Sequence, residues 1–108
     1  MTGSRILRLT FAAAFAVLLG TAATAKVIQI DIEKLVFNPK SVTAEIGDTI
    51  EWTNHDIVAH TATADGKSWE VVLAPRATGS YIVESAGSIG YFCRFHPNMR
   101  AMIKVDAP

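Results

Sequence analysis

The chain of 108 residues predicts an all-β domain, a sandwich or barrel of short strands. Three observations carry this. Apolar and polar residues alternate with period two in several runs, and many of the apolar ones are β-branched or aromatic. Turn signals such as Gly47-Asp48, Asp65-Gly66 and Ala86-Gly87 separate these runs, roughly every ten residues. Beyond the first 25 residues, no stretch has the periodicity of an amphipathic helix.

The runs follow in order. Residues 26–33 place Ile28, Ile30 and Ile32 on one face and Gln29, Asp31 and Glu33 on the other. Leu35-Val36-Phe37 is apolar until Asn38-Pro39-Lys40 breaks it. Val42, Ala44 and Ile46 share a face, and so do Ile50 and Trp52. Asn54-His55-Asp56 is polar and loop-like, whereas 57–63 favours a strand by composition. Residues 69–73 fit either a short strand or an irregular segment. Tyr81 and Val83 alternate next. Ile89, Tyr91 and Cys93 then share a face, so Cys93 points inward at a strand end. Ala101, Ile103 and Val105 form a last strand. The expected core is Ile28, Ile30, Ile32, Val42, Ile46, Ile50, Trp52, Tyr81, Val83, Ile89, Tyr91, Ile103 and Val105.

The N-terminus is of another kind. Arg5 and Arg8 precede an apolar run, Leu9 to Leu19, broken only by Thr10. Small residues ending Ala23-Thr24-Ala25 follow, so residues 1–25 read as a secretory signal peptide. The run is short for a membrane span, and no membrane anchor is expected in the mature form. The domain is then 26–108 and exported, in a bacterium to the periplasm. Arg5 and Arg8 leave with the leader and no acid does, so ten basic residues become eight against ten acidic. That balance is no footprint for nucleic acid. We expect a monomer.

Exported proteins usually pair their cysteines, yet Cys93 is the only one. A lone cysteine there implies intermolecular pairing, a reactive thiol or a metal ligand. Its neighbourhood favours the ligand. Residues 91–99 read Tyr-Phe-Cys-Arg-Phe-His-Pro-Asn-Met, which puts a thiolate, an imidazole and a thioether within one short loop. Two histidines and a cysteine with a weak axial methionine form the ligand set of an electron-transfer copper site. The loop lacks only one histidine.

Two blocks together resemble a known family. Residues 37–54 run Phe-x-Pro-x-x-Val-x-x-x-x-Gly-Asp-x-Ile-x-Trp-x-Asn. From Tyr91 to Val105 the pattern is Tyr-x-Cys-x-x-His-Pro-x-Met-x-x-x-Ile-x-Val. Both are similar to the type 1 blue copper proteins, the cupredoxins, of the small amicyanin and plastocyanin type. The resemblance implies a Greek-key β-sandwich, a single type 1 copper ion, and His60, Cys93, His96 and Met99 as its ligands. It implies a one-electron carrier, not an enzyme, that docks briefly with redox partners such as a cytochrome c or a periplasmic dehydrogenase. It also makes His96 the electron port, with Phe95, Pro97 and Met102 in the apolar patch around it.

Competing residues are set aside on local grounds. His55 lies in a polar loop and reads as solvated. Met102 is out of step with Ile103 and faces the other side of the last strand. Trp52 and Trp69 read as packing residues, not electron relays. The chain departs from the family at three places: Phe95 stands where Pro is frequent, Ala101 where Gly is, and Thr61 where Asn helps hold the thiolate. A Thr61 hydroxyl or backbone N–H can give similar support. A copper protein for storage, delivery or resistance would use the same ligands, and the sequence barely separates the two roles.

Overall fold

The structure, a computed structural model, describes residues 24–108. The leader expected over 1–25 lies outside the described residues except for its last two. Nine strands follow in order: β1 (Val27–Glu33), β2 (Val36–Asn38), β3 (Ser41–Glu45), β4 (Thr49–Asn54), β5 (His60–Ala64), β6 (Glu70–Leu73), β7 (Thr78–Ile82), β8 (Gly87–Cys93) and β9 (His96–Asp106). Among the described residues the only helical piece is a short 3-10 turn at Asp65–Lys67.

The strands form two sheets packed as a sandwich, ordered β2-β1-β4-β7 and β3-β9-β8-β5-β6. Two pairings are parallel, β1 with β4 and β3 with β9, and the rest are antiparallel. Consecutive strands therefore often lie in different sheets, the Greek-key pattern expected. The alternation in the sequence becomes two inner faces: Ile30, Ile32, Ile50 and Trp52 from one sheet, Val42, Ala62, Tyr91, Ile103 and Val105 from the other. Both sheets must bury one face, so register is strongly set.

Aromatic rings thicken this core. Phe37 meets Tyr91 edge-on at 4.8 Å between centroids. Trp52 meets the same ring edge-on at 5.6 Å and lies 5.8 Å from Trp69, which stacks on Tyr81 at 4.5 Å. Trp52 Nε1 donates to the Tyr91 hydroxyl at 3.3 Å, so two buried polar atoms satisfy each other. Burial pushes the Tyr91 phenol up to about 12.

Several sequence expectations need correction. Ile46 is 46% exposed, because β3 stops at Glu45 and Asp48 N–H donates to Glu45 O to make the turn. Ile57 and Val58 belong to no strand and are exposed; β5 begins only at His60. Ile28, Tyr81 and Ile89 sit at the margin of the core, not inside it. Residues 70–73 do form a strand, and its Leu73 is buried, as is Phe37 of the short β2. Neither was expected in the core, since both come from runs too short to show a period. The last strand starts earlier than its apolar alternation suggests, at His96.

Trp52 carries much of the burial, and trimming it to alanine is expected to cost about 3–5 kcal/mol, much of a small domain's stability. Urea unfolding of the metal-free protein measures this. Tyr91 gives a pH signature. Its phenol is raised in the fold, so that contribution is complete below the unfolded value of about 10 and is lost as pH rises towards 12. Tyr91→Phe should be the less stable protein near neutrality, where Trp52 Nε1–H loses its acceptor, and the gap should narrow above pH 10.

Candidate metal centre

The sheet brings the donors together. β5 and β8 run antiparallel, so the first residue of β5, His60, lies near the last of β8, Cys93. The β8–β9 hairpin then turns through Arg94 and Phe95 and sets His96 opposite Cys93, with a register shift at Phe92/Cys93. Residues read as one short loop are thus two strand ends joined by a tight turn. His60 Nδ1 and His96 Nδ1 each stand 3.7 Å from Cys93 Sγ. The three ligand atoms all lie within 4.8 Å of one another. Two donors sharing one first-row metal ion at bond lengths of about 2.1 and 2.3 Å stand about 3.6–3.8 Å apart, so these spacings suit a shared ion. His60 and Cys93 are fully buried and His96 is partly exposed. Met99, 5% exposed, lines the same surface depression as His96, with Leu35, Phe95, Pro97 and Asn98.

The buried histidine is held by a carboxylate. Asp56 Oδ2 lies 2.8 Å from His60 Nε2. A carboxylate accepts, so Nε2 carries the proton and Nδ1 keeps its lone pair free on the Cys93 side. The same carboxylate accepts the N–H groups of Lys34 at 2.8 Å and Leu35 at 3.0 Å. Those residues have φ of 53° and 61°, the left-handed pair of a two-residue hairpin turn, which side chains other than Gly and Asn adopt at a cost. Asp56 offsets that cost. Burial pushes its carboxyl upwards, but the Leu35, His60 and Lys34 donors outweigh this and leave it below the usual range. Neither Lys34 nor Leu35 looks like a turn residue, so the sequence carries no signal of the arrangement beyond a carboxylate four positions before His60.

Asn54 builds the approach to His60. Its Nδ2 donates to Val58 O at 2.9 Å and to Leu73 O and Ala74 O, both at 3.2 Å; its Oδ1 accepts from Asp56 N–H at 2.9 Å. This buried amide folds the 54–58 loop back onto β6 and aims Asp56. The Trp-x-Asn pattern is therefore structural: Trp52 fills the core and Asn54 shapes the loop.

Around the sulfur, Thr61 serves in both ways open to it. Its N–H donates to Cys93 Sγ at 3.4 Å, and its hydroxyl accepts from Arg94 N–H at 2.8 Å. Phe95 is 48% exposed at the turn, with the Arg94 guanidinium 5.0 Å from its ring centroid, and Ala101 is partly buried in β9. His55 is turned outward and bonds Asp31 at 2.8 Å, away from the donor cluster. Met102 is exposed on the opposite face of β9 from Ile103. The set that remains, two imidazoles and a thiolate, with a buried thioether lining the same depression as His96, is the donor chemistry of a type 1 copper ion.

Asp56→Ala should weaken metal binding about 10–100-fold, by freeing the ring of His60 to rotate or change tautomer. Chelator competition against Cu(I) measures it, and an unchanged affinity would show that packing alone orients the ring.

The sequence matches the profile of the cupredoxin-like domain over residues 6–105. Plastocyanin from Scenedesmus fuscus is 37% identical over 78 residues, which span 61% of this chain and 80% of the relative. Amicyanin from Paracoccus versutus is 29% identical over 89 residues, 76% of this chain and 67% of the relative. The crystal structure of that amicyanin superposes with a TM-score of 0.64 over 78% of this chain and 83% of its own, at 29% identity. An amicyanin variant with proline replaced by phenylalanine, in its reduced state, gives 0.65 at 26% identity, over 74% of this chain and 82% of that one. Matched over nearly its whole length, with donors converging as such a fold requires, the chain belongs to the cupredoxin-like family.

Proposed function

We propose that the protein is a periplasmic one-electron carrier whose copper ion is held by His60, Cys93, His96 and Met99. The observation that carries this is the convergence of His60, Cys93 and His96 at one sheet end, with Met99 buried and lining the same depression as His96. The relatives named plastocyanin and amicyanin support it, and one amicyanin has a recorded reduced state. When bound, the copper ion supplies a one-electron Cu(II)/Cu(I) couple. The chain's own residues do the rest. Cys93 offers a thiolate, and the Thr61 N–H steadies it. His60 is locked by Asp56 inside the fold, so that side of the site has no room to rearrange. Donors that stay in place keep reorganisation small between the two oxidation states.

Electrons pass where the site is thinnest. His96 is the ligand that reaches the surface, and Leu35, Phe95 and Pro97 form an apolar rim about it. Met102, on the far face of β9, is not among the residues lining that depression. A small apolar contact suits brief docking with a redox partner such as a cytochrome c or a periplasmic dehydrogenase. The signal-like N-terminus supports export, and no helix among the described residues is long and apolar enough to cross a membrane. No substrate is bound or converted in this reading.

The purified domain loaded with Cu(II) should absorb visible light intensely through thiolate-to-copper charge transfer, and Cys93→Ser should abolish the band. Voltammetry should be reversible and self-exchange fast. A colourless, redox-silent copper complex would sink the electron-carrier reading, and a coloured protein with slow exchange would favour copper storage or delivery.

A further inference from the structure

Thr61 and Thr63 point away from the core, yet both are buried, at 0% and 2% exposure. They lie on the outer face of β5, since His60, Ala62 and Ala64 occupy the alternate positions and the two alanines belong to the buried interior. Two side chains close over them, Glu70 from β6 and Arg94 from the turn after β8. Thr63 pairs with Glu70 in the β5–β6 ladder. In the β5–β8 ladder Thr63 pairs with Phe92, so Arg94 lies opposite Thr61, where the backbone pairing has already ended. A side chain replaces the missing ladder bond: Arg94 N–H donates to the Thr61 hydroxyl.

The bonds form a closed ring in which two arms of donors both run from Arg94 to Glu70. Thr63 Oγ1 donates to Glu70 Oε1 at 2.8 Å. Its single proton is then used, so in the 2.9 Å contact with Thr61 it accepts, and Thr61 donates. Thr61 in turn accepts from Arg94 N–H. Arg94 Nε donates to the same Glu70 oxygen at 2.8 Å and completes the circuit. The ring thus begins and ends on the residue next to Cys93, and Thr61, its middle member, donates its own N–H to Cys93 Sγ. Exposed ion pairs alone are worth little, but this one terminates two buried hydroxyls.

We propose that Glu70 and Arg94 are positioning residues for the thiolate: through Thr63 and Thr61 their ion pair pins the Cys93–His96 turn to β5 and keeps the Thr61 amide aimed at the sulfur. An N–H donor draws electron density from the sulfur and so favours the reduced metal; hydrogen bonding at this sulfur is one of the levers on such a site's potential. Loosening the ring therefore lowers the reduction potential. The copper consequence rests on the copper-carrier reading; the pinning of the turn does not.

Two measurements separate these. In the metal-free protein, the Arg94 amide should exchange with solvent about fivefold faster in Glu70→Ala and in Thr63→Val, one hydrogen bond's worth. Glu70→Gln, which still accepts from Thr63, should restore most of the protection. In the copper-loaded protein, Glu70→Ala should lower the potential and shift the charge-transfer band. Glu70→Ala combined with Thr63→Val should do no more than either alone, because both open one ring. Should Thr63→Val fail to fold, the exposed Glu70→Ala and Arg94→Ala variants carry the test. Unchanged Arg94 exchange in Glu70→Ala would overturn the pinning. An unchanged potential, or effects that simply add, would overturn the role at the sulfur. A wild-type protein without the charge-transfer band would refute the copper reading and leave the exchange result to decide the ring.

Discussion

The pairing of β5, β8 and β9 at one end of the larger sheet is the constraint on which the site depends. A thiolate and two imidazoles do not gather unaided, since each gives up water and side-chain freedom to do so. Here backbone hydrogen bonds made further down the strands meet that cost. The Thr63–Phe92 and Ala64–Tyr91 pairs set β5 against β8, and the hairpin fixes His96 opposite Cys93. The two imidazoles and the thiolate are then the terminal residues of strands already in place.

The ends of strands are where a sheet can hold a site. Inside the ladder every N–H and C=O is committed. At its edge the backbone comes free, and side chains take over. Asp56 accepts two amides from the β1–β2 turn, Thr61 accepts one from Arg94, and Asn54 serves three carbonyls. Each of these polar side chains satisfies a stretch of irregular backbone and orients a donor or the loop that carries it. No buried side-chain nitrogen or oxygen among the described residues lacks a partner.

The two faces of the cluster differ in kind. The His60 side is enclosed and carries a carboxylate, which holds negative charge close to the buried ring. Towards solvent, the His96 side has apolar neighbours, Leu35, Phe95 and Pro97. A charged, enclosed interior thus stands against an apolar, accessible rim, the division that the proposed electron carrier uses to hold its ion on one side and face a partner on the other. Leu35 belongs to both, because the turn that presents it at the rim is the turn that Asp56 stabilises.

Much of this was legible beforehand. Period-two alternation marked the inward faces of β1, β4, β8 and β9, because a strand with one buried face must alternate. The lone cysteine with His96 and Met99 at close spacing announced a soft-metal site, because donor type is a property of the residue itself. Where alternation was short or interrupted, reading failed: Ile46 fell in a turn, Ile57 and Val58 in a loop, and Leu73 and Phe37 entered the core unannounced. What remained for the tertiary structure was everything that joins distant stretches. The family resemblance had already named His60 over His55, but the distance at which His60 meets Cys93, the hold of Asp56 on its tautomer, and the reach of Glu70 and Arg94 to the sulfur through two threonines came only with the fold. Register is a relation between segments, and no single segment carries it.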